Sequence, residues 1–260
     1  MRLEPFGAVQ HVGAQFGLIK LGLHGLGILN YQDDLSGERA FLRRQLGHTS
    51  RPIVVDVGAH SGEYANLVLS EAPKARLISI EPHPQSYGRL AELAHQHKFR
   101  AIQSACGAHP GVATLNDYVG DASGSQHASL YKDVISSVWG SASSGISVEV
   151  TTIDALAARL ELDMIDLLKI DTEGAELDVL RGAKGMLDSG RIRSIQFEFN
   201  DTLTISRAFL RDFRELLTGF RLYRLLPDGL LSLEPYQALF CEIFAYQNIV
   251  ALPYGATDGH

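Results

Sequence analysis

The strongest constraint on the fold is an alternation that begins at Ile53. Short apolar runs take turns with stretches of helical period. Ile53-Val54-Val55-Asp56-Val57, after a break at Pro52, reads as a buried strand. Tyr64, Leu67, Val68 and Glu71 then share one helical face, and Pro73 ends that helix. Leu77-Ile78-Ser79-Ile80 is a second strand, ending at Glu81-Pro82. A helix from Pro84 turns Tyr87, Leu90, Ala91 and Ala94 inward, and Arg100 to Cys106 is a third strand. Ser36 to Leu46 precedes them as a helix that Ser36 can cap. Strands alternating with helices imply a parallel sheet with right-handed crossovers.

The pattern continues less regularly. Val112 to Asn116 is a short strand. Asp117 to Ile146 is rich in Ser and Gly, carries the single Trp, Trp139, and has no clear period. Such a segment suits a lid or substrate loop over a site. Ser147 to Thr152 alternates as a half-buried strand, and Ile153 to Leu160 is a short helix. Met164 to Ile170 is a strongly apolar strand, followed by a helix over Glu173 to Leu187 and a strand over Ile192 to Asn200. A further helix carries Phe209, Leu210, Phe213, Leu216 and Leu217. Phe220 to Leu226 and Cys241 to Ala251 read as two late strands around the turn Pro227-Asp228-Gly229. The expected fold is α/β: a doubly wound, mostly parallel, seven-stranded sheet with a late antiparallel hairpin. It fills residues 36–260, behind an extension formed by residues 1–35.

Composition narrows the function. The 260 residues are 45% hydrophobic and 20% charged, enough for a packed core. A net charge of −7 with no basic run argues against a nucleic-acid partner, because phosphate neutralisation supplies most of that affinity. Cys106 and Cys241 lie too far apart for a disulfide scaffold or a cysteine-rich zinc site, and their number fits a reducing cytoplasm. Phe16 to Leu29 is apolar but too short to span a bilayer, and it carries Lys20 and His24. Glu4 stands where a signal peptide wants positive charge. Six glycines between Gly7 and Gly27 weaken a helix there. The segment is expected to pack on the domain or on a second copy, giving a homodimer. A membrane-surface or substrate-docking role is the alternative.

The chemistry gathers at the strand ends. The first strand runs into Gly58-Ala59-His60-Ser61-Gly62, whose glycines let the backbone turn tightly against a ligand. The spacing is not that of the dinucleotide GxGxxG turn. An acidic residue, Asp56, two before the first glycine is more typical of an adenosylmethionine pocket. Glu81 follows 25 residues later, where a carboxylate can accept both hydroxyls of a ribose. Pro82 adjoins it, and Ser104 and Cys106 should line the adenine side. Lys169 to Glu176 then places three carboxylates and one lysine within eight residues. Glu176 suits the start of a helix. Lys169, on an apolar strand, calls for a carboxylate partner.

These pieces in this order (VVDVGAHSGEY, ISIEPHP, VTTIDAL, LLKIDTEGAELDVLRGA and IQFEFN) resemble the FkbM family of S-adenosylmethionine-dependent methyltransferases. The resemblance spans about Ile53 to Asn200, and KIDTEGAELDVLRGA is its most distinctive part. It implies a class I methyltransferase fold and methylation of a hydroxyl on a small natural product, sugar or glycolipid. His60 departs from the family, which often has Asn there.

Methyl transfer to a hydroxyl needs in-line positioning and a group to take the proton. Asp171 is the first candidate base, with Glu173, Glu198 and His127 next. His83 is a candidate too, against a capping role. Asp171, Glu198 and Asn200 would supply oxygen ligands if Mg²⁺ were required, which is not the favoured reading. Two other classes stay open: a nicotinamide oxidoreductase, and a non-catalytic binding or scaffold protein on the same fold.

Overall fold

The computed structural model describes residues 13–119 and 124–255. The expectations attached to Glu4, to the start of the extension and to residues 120–123 of the Ser/Gly segment fall outside them. The elements are α1 (Gly13–Gly25), α2 (Asp33–Ser36), α3 (Glu38–Leu46), β1 (Ile53–Val57), α4 (Glu63–Glu71), β2 (Arg76–Ile80), α5 (Pro84–His97), β3 (Arg100–Ile102), β4 (Ala105–Cys106) and β5 (Gly111–Tyr118). They continue with β6 (Ser143–Thr151), α6 (Ile153–Arg159), β7 (Leu167–Ile170), α7 (Glu176–Arg181), α8 (Lys184–Asp188), β8 (Ile195–Phe199), α9 (Leu203–Ser206), α10 (Leu210–Leu216), β9 (Phe220–Leu226), β10 (Gly229–Ser232), α11 (Ala238–Cys241) and β11 (Gln247–Pro253). A π-helical turn spans Val134–Val138.

The central sheet has eight strands in the order β10-β9-β11-β8-β7-β1-β2-β3. Strands β8, β7, β1, β2 and β3 are parallel; β11, β9 and β10 join antiparallel. Val55, Val57, Leu168, Ile170 and Phe197 face one apolar layer together with α6, α7, α8 and α10. Val54, Leu77, Leu167 and Val250 face the other, with Phe41 and Leu42 of α3 and Ala65 and Val68 of α4. Chain order reverses between β1 and β7, so the carboxyl ends of these two strands open a crevice.

The α/β, mostly parallel architecture agrees with the sequence pattern, and several details differ. The sheet has eight strands rather than seven, because Gly229–Ser232 after the turn forms β10. The turn at Pro227-Asp228 therefore links β9 to β10, and β11 inserts between β9 and β8. Cys241 lies in α11, not in a strand. The strand expected over Arg100 to Cys106 breaks at Gln103-Ser104. Its second half, β4, joins β6 and β5 in a separate three-stranded sheet. Strands β5 and β6 reach Tyr118 and Ser143, shortening the unpatterned segment from both sides.

The helix expected over Glu173 to Leu187 is two helices, α7 and α8. They part near Gly182, where an added Cβ would stand 2.1 Å from the Gly107 carbonyl oxygen. Gly37 rather than Ser36 occupies the N-cap of α3, although Ser36 Oγ still accepts the Glu38 N–H at 3.3 Å. The glycine-rich N-terminal segment is helical after all (α1). Its Phe16, Leu18, Ile19 and Leu21 are more than half exposed rather than packed on the domain. Residues after α1 do join the fold: Ile28 is fully buried and bridges Gln247, and Leu29 N–H donates to the Tyr246 carbonyl at 2.8 Å.

Candidate active site

Two connected compartments lie at the crevice. A narrow one, about 50 Å³, is walled by Glu81, Pro82, Ser104, Ala105, Cys106, Leu115, Ala128 and Leu130. A wide one, about 640 Å³, is walled by Tyr31, Glu38, Tyr64, His127, Trp139, Lys169, Glu198, Asn200, Asp201, Phe244 and Tyr246, among others. Gly58, His60, Gln126, Asp171 and Glu173 line both, so they form the passage between them.

Backbone geometry explains the glycine at the end of β1. Gly58 has φ +82°, and a Cβ there would sit 1.7 Å from the Asp171 carbonyl oxygen. Only a residue without a side chain lets the β1 turn touch the tip of β7. The turn returns to β2 through the Gly58 and Ala59 N–H groups, which both donate to the Ile80 carbonyl.

Glu81 is 6% exposed and held from two sides. Its Oε2 accepts the His60 N–H at 2.9 Å and its Oε1 the His83 N–H at 2.7 Å. Burial pushes its carboxyl above the ordinary range, while these N–H groups favour the charged form. The remaining lone pairs belong to the narrow compartment. Leu115, Ala105, Cys106 and Leu130 make its walls flat and apolar. Burial raises the Cys106 thiol to about 12, so Cys106 acts there as a small apolar surface. Ser104 lines the same wall, but its hydroxyl donates to backbone carbonyls of Ala105 and Glu149. An oriented carboxylate beside an apolar slot fits the ribose and adenine of an adenosyl group.

Asp171 ends β7 at the passage. Its Oδ2 lies 3.0 Å from Lys169 Nζ, the carboxylate partner that a lysine on an apolar strand requires. Lys169 is 4% exposed, and its ammonium stands 5.3 Å from the centre of the Tyr64 ring. Behind Asp171, Glu176 holds the turn: Oε1 accepts the Thr172 N–H at 2.8 Å and the Thr172 hydroxyl at 3.0 Å, and the Gly174 N–H points at both oxygens. Glu176 is thus structural, as its helix-start position implied.

Glu173 and Glu198 converge on Asn200, whose Nδ2 lies 2.5 Å from Glu198 Oε1 and 3.5 Å from Glu173 Oε2. Burial, then the neighbouring carboxylates, push both well above the usual range. Asn200 turns its oxygen to the Thr202 N–H and hydroxyl. It therefore presents a donor rather than an oxygen to the Asp171, Glu198 and Asn200 set, and among the described residues no group of three or more His, Cys, Asp or Glu is arranged for a metal ion.

The segment above the site is anchored by Asp117, a buried carboxylate. It accepts the Gly124 N–H at 2.6 Å, the Ser125 hydroxyl at 2.6 Å and the Tyr118 N–H at 2.8 Å. His127 stacks on Trp139 with centroids 3.8 Å apart, and its Nδ1 meets the Tyr118 hydroxyl at 3.0 Å. Burial lowers its pKa below the ordinary histidine value, and the residue lines the wide compartment. His83 has the capping role: its Nδ1 accepts the Gln85 N–H at the start of α5, and its Nε2 lies 3.4 Å from Asp117 Oδ2.

Three expected ligand residues stand behind the site rather than in it. Asp56 lines neither compartment, because strand alternation sends Val55 and Val57 to one face and Asp56 to the other. It is 1% exposed beside Ser79, and burial lifts its carboxyl to about 7. Ser61 bonds the His60 ring, and Gly62 caps α4 against Leu93 and Leu90. Conversely, sequence reasoning missed Tyr31, Glu38, Tyr64, Phe244 and Tyr246. They come from four separate stretches with no shared local signal.

A doubly wound sheet with an acidic crevice at its switch point is the architecture of a class I methyltransferase. The sequence matches the Methyltransferase FkbM domain over residues 56–224. The chain belongs to the FkbM methyltransferase family and is an S-adenosylmethionine-dependent methyltransferase. It is 30% identical to the 2-O-methyltransferase NoeI of Sinorhizobium fredii, over 68% of this chain and 76% of that protein. It is 27% identical to the methyltransferase sdnD of Sordaria araneosa, over 51% of this chain and 61% of that one. Among solved structures, the precorrin-6y C5,15-methyltransferase of Geobacter metallireducens aligns with a TM-score of 0.43 at 12% identity, over 83% and 87% of the two chains. Family membership supersedes the nicotinamide reading. No helix among the described residues is long and apolar enough to cross a membrane.

Proposed function

We propose that the protein methylates a hydroxyl oxygen of a small natural product, sugar or glycolipid, bound in the wide compartment. The observation that carries this is the place of Asp171: its carboxylate lines the passage between the two compartments and is held by Lys169. The relation to a 2-O-methyltransferase supports oxygen as the acceptor atom. S-adenosylmethionine, when bound, supplies an electrophilic methyl group. Glu81 would hold its ribose, with Ala105, Cys106, Leu115 and Leu130 around the adenine. Admitting it moves the segment from Ser125 to Leu130 outward, since that segment closes the narrow compartment.

Asp171 accepts the hydroxyl proton as the oxygen attacks. Lys169 holds the carboxylate in place, and Glu173 borders the same passage as the second candidate. His127, which lines the wide compartment, orients the acceptor. In this reading the Asp171 carboxylate takes the proton without a metal ion to acidify the hydroxyl, so turnover survives EDTA.

The test is transfer of a labelled methyl group from S-adenosylmethionine to a panel of hydroxylated compounds, beside calorimetry with S-adenosylhomocysteine. Asp171→Asn is expected to lower turnover by about 10²–10⁴-fold with cofactor affinity preserved. Glu81→Gln is expected to weaken cofactor affinity at least about tenfold, by losing a charge-assisted pair. Full turnover in Asp171→Asn would overturn the assignment of the base. Transfer only to nitrogen or carbon would overturn the reaction class.

A further inference from the structure

We propose that the wide compartment selects an acceptor with a protonated amine close to its reacting hydroxyl, seated between the stacked Tyr31 and Tyr246 rings and the wall formed by Glu198 and Asp201. This rests on the methyltransferase reading of the site and names the chemical class of its acceptor.

The charge of the wall carries the argument. Glu38, Glu63, Glu198 and Asp201 line the wide compartment and not the narrow one. Among its described lining residues, Lys169 is the single lysine or arginine, and it is already matched to Asp171 at 3.0 Å. A cleft with low-dielectric walls focuses such an imbalance and concentrates cations in it. Phosphorylated or carboxylated acceptors are repelled by the same field.

Two further features favour a cation over a neutral polyol. Tyr31 lines the compartment, stacks on Tyr246 with centroids 4.5 Å apart, and is 64% exposed. Tyrosine faces attract ammonium groups. Glu173 and Glu198 crowd on Asn200, and burial with the neighbouring carboxylates disfavours their charged forms, a penalty that an ammonium placed beside them would offset. A neutral sugar offers no such compensation.

Trp139 is the only tryptophan of the chain, lines this compartment and is 40% exposed, so its fluorescence reports on the cleft alone. The first arm compares quenching by Cs⁺ and by iodide, each divided by its quenching of free N-acetyltryptophanamide. Cs⁺ is expected to be more effective by about threefold or more, from local enrichment of cations. The second arm titrates S-adenosylhomocysteine-saturated protein with D-glucosamine, D-glucose and D-glucuronate, one ring shape in three charge states. Glucosamine should bind about tenfold tighter than glucose, and glucuronate weakest. Glu198→Gln, checked for folding by circular dichroism, should erase most of the glucosamine advantage.

Iodide quenching equal to that of Cs⁺ would overturn the proposal. So would glucose binding as tightly as glucosamine, or no glucosamine binding in the millimolar range. Failure to bind S-adenosylhomocysteine would instead strike the methyltransferase reading, while the quenching arm would still report the charge of the cleft.

Discussion

Gly58 fixes how closely the turn after β1 approaches the tip of β7 at Asp171. Its φ of +82° and the 1.7 Å approach of a built Cβ to the Asp171 carbonyl leave no room for a side chain. Gly58→Ala is therefore expected to cost about 3 kcal/mol or more, combining left-handed strain with a backbone clash. Urea unfolding measures this, and unchanged stability would contradict the contact. This residue was legible in the sequence as the glycine of a tight turn. Asp56 was not. Its position two before the glycine suggested a ligand, but its side chain points away from the crevice into a buried polar layer with Ser79 and Lys169. The direction of a side chain on a strand depends on which face the neighbouring helices cover, and a motif does not carry that.

At the scale of elements, the turn from Lys169 to Glu176 is organised from its far end. Glu176 collects the Thr172 and Gly174 N–H groups and the Thr172 hydroxyl, which shapes the loop carrying Asp171 and Glu173. Glu176→Ala should cost about 2–3 kcal/mol, because it leaves buried donors without an acceptor. Glu176→Gln should keep most of that stability, since its carbonyl oxygen still accepts. Thermal melting of the two variants separates the outcomes, and equal loss in both would make the charge rather than the hydrogen bonds decisive. The acidic character of this turn was plain from its residues. The split of the following helix was not, since it arises from the approach of Gly182 to Gly107, which are distant in sequence.

For the whole molecule, buried carboxylates make stability depend on pH. Burial raises Asp56 to about 7 and moves Glu81, Glu173, Glu176 and Glu198 in the same direction. A raised carboxyl keeps its proton in the folded chain after the unfolded chain has lost it. Its contribution is thus full below the ordinary carboxyl range and is lost as pH rises through the folded value. For Asp56 the shift from 3.8 to about 7 corresponds to about 4 kcal/mol, complete above neutral pH. His83 and His127, lowered by burial, act in the opposite direction below the ordinary histidine range. The wild-type protein is expected to be less stable at pH 8 than at pH 5 in urea unfolding. Asp56→Asn should narrow that difference by relieving the buried charge. A difference left unchanged in the variant would remove Asp56 as its source.

The sequence by itself determined the alternation of strands and helices, the tight glycine turn, the carboxylate of Glu81 at the end of the second strand and the acidic strand tip at Asp171. All of these are local: each depends on residue order within one strand and its adjoining turn. Tertiary structure alone decided the wide compartment. Tyr31 enters from the N-terminal segment, Glu38 and Tyr64 from two helices, Trp139 from the crossing segment, and Phe244 and Tyr246 from the approach to the last strand. Their convergence is set by the order of strands in the sheet and by how far each connection reaches over its end. No spacing within a single stretch records that.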